Sequence, residues 1–119
     1  MKGYRFYMQD FKVNILGSEW NVKFGNEKEY PNLTNVDGYT DLSIREIVVD
    51  DMEASKGQIG AKADLESYQK QVVRHEIIHA FLLESGLDSN SNSADSWAVN
   101  EEMVDWFAIQ SPKIFKVFN

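Results

Sequence analysis

The chain contains no cysteine. That absence excludes disulfides, thiolate metal sites and a thiol nucleophile together, and it agrees with a reducing compartment. Histidine is scarce as well, with two residues in 119. Any site built on imidazoles must therefore use both. No run of about 18 apolar residues occurs, so no membrane-spanning helix is expected. The N-terminus, Met1-Lys2-Gly3-Tyr4-Arg5, lacks an apolar core and a small-residue cleavage site, so no leader is expected and cytoplasmic residence is the default. Positive charge is also in short supply. Twelve Lys and Arg face nineteen Asp and Glu, for a net charge of -7, and the basic residues form no dense stripe. Nucleic acid is thereby disfavoured as a partner.

What is present fits one domain spanning residues 1–119, with 43% apolar residues, enough for a hydrophobic core. Oligomeric state is not legible. The apolar pattern changes period midway. Phe11, Val13 and Ile15 alternate with polar residues, as do Trp20, Val22 and Phe24. A two-residue turn at Gly17-Ser18 would pair Ile15 with Trp20, Val13 with Val22 and Phe11 with Phe24. Residues 25–37 read as a loop. A third strand follows around Ile44 to Val49, reaching back towards Tyr39. Asp50 to Ala63 is polar with two glycines and reads as a flexible connection.

A long helix is expected from an Asp64 N-cap to Ser85-Gly86-Leu87, with Leu65, Tyr68, Val72, Ile78 and Leu82 on its apolar side. Gly86 suits the left-handed position after the helix, and Leu87 is expected to fold back on the last turn. Ser89 to Ser93 reads as a polar loop. A second helix is expected from Ala94 or Trp97 to Gln110, where Ser111-Pro112 ends it and starts a short third helix. Trp20, Trp97 and Trp106 are assigned to core packing. The order of three strands followed by helices reads as α+β, with helices on one face of a small antiparallel or mixed sheet.

The chemistry concentrates in Val73-Arg74-His75-Glu76-Ile77-Ile78-His79-Ala80. Residues four apart share one helix face, so His75 and His79 can grip one zinc ion. Glu76 follows the first histidine and points beside the metal, where it can take a proton from water. Two histidines and a glutamate in an apolar helix have little structural purpose without a metal, because buried polar groups cost stability unless satisfied. With no further His and no Cys, a third protein ligand must be Asp or Glu. Glu101 and Glu102 both lie on largely apolar helix stripes, and periodicity does not choose between them. Asp105 lies one turn after Glu101 and could accept the ring N–H of a metal-bound histidine, or be a solvated helix acid.

The pair His75-Glu76-Ile77-Ile78-His79 and Asn100-Glu101-Glu102-Met103-Val104-Asp105 resembles the gluzincin pattern, HExxH followed by N-E-x-x-x-D. The resemblance implies Glu101 as third zinc ligand and Asp105 as its supporting acid. Glu101 through Ala108 also resembles a stretch of the ImmA/IrrE-like minimal metallopeptidases, and the likeness covers roughly residues 70–118. It implies a zincin-like fold, with the sheet packed against the HExxH helix and a second helix bearing the glutamate. It further implies a compact cytoplasmic hydrolase of the kind often carried by phages and prophages. Asp105 stands where the minimal enzymes have Asn. No histidine is left to donate to an oxyanion. Tyr39 and Tyr68 are candidates for that role, and each also reads as packing.

The expectation is a zinc metallopeptidase acting on a peptide or protein substrate, with Zn2+ held by His75, His79 and Glu101 and with Glu76 as general base. The alternative is a zinc-binding regulatory or interaction protein on the same scaffold with little or no hydrolysis.

Overall fold

A computed structural model describes residues 8–58, 62–90 and 96–118. Its architecture is α+β, a four-stranded mixed sheet with two helices; the first helix packs on the sheet and the second packs on the first rather than on the sheet as expected. The strands are β1 (Phe11–Ile15), β2 (Ser18–Gly25), β3 (Gly38–Asp41) and β4 (Glu46–Asp50), and the helices are α1 (Leu65–Glu84) and α2 (Glu101–Phe118). Short 3-10 turns occupy Pro31–Leu33, Glu53–Ser55, Asp88–Asn90 and Trp97–Val99. The N-terminal pentapeptide, residues 59–61 of the expected flexible connection, Ala94 and Ser91 to Ser93, all read above from sequence, lie outside the described residues.

The hairpin β1–β2 forms with its apolar residues on the expected face but in a different register. Val13 pairs with Trp20 and Phe11 with Val22, a shift of two residues from expectation. The turn is Leu16-Gly17, not Gly17-Ser18. Both central residues have positive φ, +53° and +94°, as the favoured two-residue hairpin turns with right-handed twist require. Asn14 Oδ1 accepts from the Gly17 N–H at 2.9 Å. A shift of two preserves the inward face, so Ile15, Trp20 and Val22 are fully buried. In this register Lys12 pairs across the hairpin with Asn21, and the two lysines find acids: Lys12 meets Glu19 and Lys23 meets Glu46.

The expected third strand is two strands. Asp41 Oδ1 accepts from the Ser43 N–H and hydroxyl, closing a turn that folds β3 back on β4. This is Asx-turn chemistry without a glycine or proline to announce it. Ile44, expected in the strand, sits in that turn and is exposed. The sheet order is β1-β2-β4-β3, with β4 parallel to β2 and antiparallel to β3. In β4 the residues Ile47, Val48 and Val49 are all at 0% exposure, so this inner strand is buried on both faces. The turn Pro31–Leu33 lies against β3 and β4, and its Leu33 is buried.

Helix α1 starts as expected, with the Asp64 carboxylate accepting from the Ser67 N–H, and it ends before Gly86 at φ +85°. Val72, Val73 and Ala80 join the sheet core. Leu82 and Ile78 pack with Ala98, Met103 and Val104 at the α2 side. Gln69, at 0% exposure, is satisfied at both ends: it accepts from Met8 N–H and donates to the Asp50 carbonyl. Leu87 is half exposed, and its N–H donates to the Ser85 hydroxyl. Of the three tryptophans only Trp20 is core; Trp97 and Trp106 are 58% and 54% exposed.

Helix α2 starts at an Asn100 cap, which accepts from the Met103 N–H, and runs without a break through Pro112. The expected stop and third helix are therefore not found. Proline removes the N–H that would satisfy the carbonyl four residues back. Here the Ala108 carbonyl accepts instead from Arg74 Nε, at 2.5 Å. A donor from α1 thus replaces the missing one, and the two helices are joined one residue before His75.

Candidate metal centre

Positions 75 and 79 lie about 40° apart around α1, while position 76 lies about 100° from position 75. The histidines accordingly face α2 and Glu76 faces the sheet. Asn100 caps α2 so that Glu101 occupies its first position, beside the two imidazoles. Of the two candidate acids, Glu101 is the one brought to the histidines; Glu102, one residue on, is exposed and does not line the cavity.

His75 Nε2, His79 Nε2 and Glu101 Oε1 form a nearly equilateral triangle. Its edges are 3.0 Å from His75 to Glu101, 3.1 Å from His79 to Glu101 and 3.2 Å between the histidines. A tetrahedral zinc with ligands at 2.0–2.2 Å has ligand–ligand edges of about 3.3 Å. The observed edges are close to one face of that tetrahedron, so these three atoms could hold a metal ion.

Proton counting favours the same conclusion. Asp105 Oδ1 lies 3.3 Å from His75 Nδ1. An N–H donated there leaves the Nε2 of a neutral ring with a bare lone pair. That lone pair faces a carboxylate oxygen and a second imidazole nitrogen. A cation at the centre of the triangle satisfies all three at once. Asp105, read from sequence as either a supporting or a solvated acid, thus touches His75 while remaining half exposed.

The triangle opens into a cavity of about 620 Å³, lined by β3, α1 and the start of α2. Asp37, Glu76, Asp88, Glu101 and Asp105 reach it, and among the described residues no lysine or arginine does, so the described walls favour positive charge. Glu76 is 7% exposed, and its Oε1 accepts from the Thr40 hydroxyl at 2.7 Å. Gly38 brings β3 close enough to α1 for this contact. A Cβ there would meet Val72 Cγ1 at 3.0 Å and Glu76 Cγ at 3.2 Å.

Tyr39 and Tyr68 both line the cavity. The Tyr68 hydroxyl donates to Asp37 Oδ2. Burial first, then Asp37, pushes its proton loss far above the ordinary range. Its hydrogen is thus committed to Asp37. Burial also raises Tyr39. Sequence reasoning missed Thr40 and Asp37, because nothing in local spacing links them to partners 36 and 31 residues away, and it missed Asp88, which sits just past the end of α1. Trp97 and Trp106 do not line the cavity.

Among the described residues, no helix is long and apolar enough to cross a membrane. Comparison of the chain with protein-family models, with curated proteins and with solved structures finds no match.

Proposed function

We propose that this chain is a zinc-dependent peptidase of the gluzincin type, similar to the ImmA/IrrE-like minimal enzymes. The observation that carries the reading is the triangle of His75, His79 and Glu101 with a separate, buried carboxylate, Glu76, beside it. Zinc bound there would polarise a peptide carbonyl and lower the pKa of water towards about 7.

The chain's own residues do the rest. Asp105 holds the His75 ring by its Nδ1 and so keeps Nε2 free for the metal. Glu76 takes the proton of the attacking water and returns it to the leaving amine, so that one carboxylate serves as base and then acid. Tyr39, whose hydroxyl has no partner among the described residues, is the candidate donor to the carbonyl oxygen, since Tyr68 is engaged by Asp37. Strand β3 is a sheet edge, and its residues 38–40 line the cavity. An extended peptide adding to that edge would lie along the HExxH helix.

Glu76→Gln tests the reading. The variant is expected to keep about one zinc per chain by atomic spectroscopy. Its turnover of a quenched fluorescent peptide library should fall by about 10²- to 10⁴-fold, the usual contribution of a positioned base. Equal turnover in the variant would remove Glu76 as the base. Zinc binding in a wild-type protein that cleaves nothing would favour a binding role for the scaffold.

A further inference from the structure

Glu76 is 7% exposed, so bulk water does not hold its carboxylate in one orientation. Thr40 does, from the edge strand β3. Its hydroxyl carries one hydrogen. Two acceptors lie in reach: Glu76 Oε1 at 2.7 Å and the Glu76 backbone carbonyl at 3.2 Å. The shorter contact to a charged oxygen is the stronger bond. Within the described residues Oε2 has no hydrogen-bond partner. One oxygen is therefore tied and the other is open to accept and release a proton. Thr40 is itself fixed by pairing with Ile47 of β4 and by the close approach of Gly38 to α1. The contact joins residues 36 apart in sequence and crosses from sheet to helix.

We infer that Thr40 is a positioning residue for the general base, fixing the Glu76 carboxylate with Oε1 turned to β3 and Oε2 turned to the cavity. The inference rests on the peptidase reading for its kinetic consequence but not for its structural one. The strand offered to an extended substrate would then also carry the hydroxyl that aims the base. Small displacements of a reacting group cost rate steeply, and removing groups that orient a metal site's first partners commonly costs 10- to 100-fold.

The test compares Thr40→Val, which keeps the β-branch and loses the hydroxyl, with Thr40→Ser, which keeps the hydroxyl. Thr40→Ala serves where the extra methyl disturbs folding, checked by thermal melts. Four quantities are measured on the full chain: zinc affinity against a chromophoric chelator, kcat and KM on one peptide cleaved from the library, and the Glu76 side-chain position in crystals. Thr40→Val should leave zinc affinity within about threefold and KM within about twofold, while kcat falls about 10- to 100-fold. Its Glu76 carboxylate should leave the observed position. Thr40→Ser should restore both rate and position. An unmoved Glu76 in Thr40→Val, or an equal loss in KM and kcat that serine does not rescue, overturns the inference. If wild-type protein binds zinc but cleaves nothing, the peptidase reading fails, and the Glu76 position in the two variants still decides the role of Thr40.

Discussion

At the scale of single residues, the site divides by what each side chain touches. His75, His79 and Glu101 meet one another, Asp105 meets His75, and Thr40 meets Glu76. Glu101→Gln should therefore abolish stoichiometric zinc in atomic spectroscopy, whereas Glu102→Gln should retain it. Loss in the second variant alone would reverse the ligand assignment. Away from the site, Glu84 carries an equally specific set of contacts. Its carboxylate accepts from Arg45 Nε at 2.8 Å, Arg45 Nη2 at 3.0 Å and Trp20 Nε1 at 2.9 Å. The Arg45 hydrogen bonds, then that from Trp20, hold its pKa down at about 2, against an ordinary 4.5. A depressed carboxylate stabilises the fold at pH values above its unfolded pKa and loses that contribution as pH falls towards its folded one. Wild type should thus be more stable than Glu84→Gln at neutral pH, and the gap in Tm should shrink between about pH 4.5 and pH 2. A gap that does not change with pH would show that Glu84 acts through packing alone.

At the scale of elements, turns and helix ends carry the deviations from simple pattern. Leu16 sits at φ +53° and is 59% exposed. A left-handed conformation costs a branched L-residue about 1–2 kcal/mol, and Asn tolerates it better. Leu16→Asn should raise stability by roughly 1 kcal/mol, read as a Tm increase of a few degrees. A lower Tm would mean that the leucine contributes contacts its exposure does not reveal. The same scale explains Pro112. Its helix continues because Arg74 donates to the Ala108 carbonyl. Arg74→Met leaves that oxygen unmet and should cost about 1–3 kcal/mol in denaturant unfolding. In a Pro112→Ala background the helix supplies its own N–H, so the loss should be visibly smaller. Equal losses in the two backgrounds would dissociate Arg74 from the proline. These elements also show where sequence was legible. The capped start of α1 follows from Asp64 and local spacing alone. The Leu16-Gly17 and Asp41-Ser43 turns depend on local side-chain acceptors, Asn14 and Asp41, and the unbroken α2 on a donor from another helix. A reading of hydrophobic period does not register such bonds.

For the molecule as a whole, the HExxH helix lies between a sheet that supplies Thr40 and Gly38 and a second helix that supplies Glu101 and Asp105. The i, i+4 histidine pair was legible because helix geometry alone places both rings on one face. The scarcity of His and Cys then required an acidic third partner. Thr40 and Asp37 were not legible, since sheet order and the parallel β2–β4 pairing decide what faces Glu76 and Tyr68. A ligand that binds only the folded chain stabilises it by about 4 kcal/mol at a thousandfold excess over Kd. Zinc should therefore raise Tm by roughly 10 °C or more and a chelator should reverse the gain, whereas magnesium, which favours all-oxygen sites, should have little effect. The most direct measurement is X-ray diffraction from zinc-loaded crystals at energies on both sides of the zinc edge. A single anomalous peak is expected about 2.0–2.2 Å from His75 Nε2, His79 Nε2 and Glu101 Oε1. No peak within this triangle, or one bound by Glu102 in place of Glu101, would contradict the proposed zinc site.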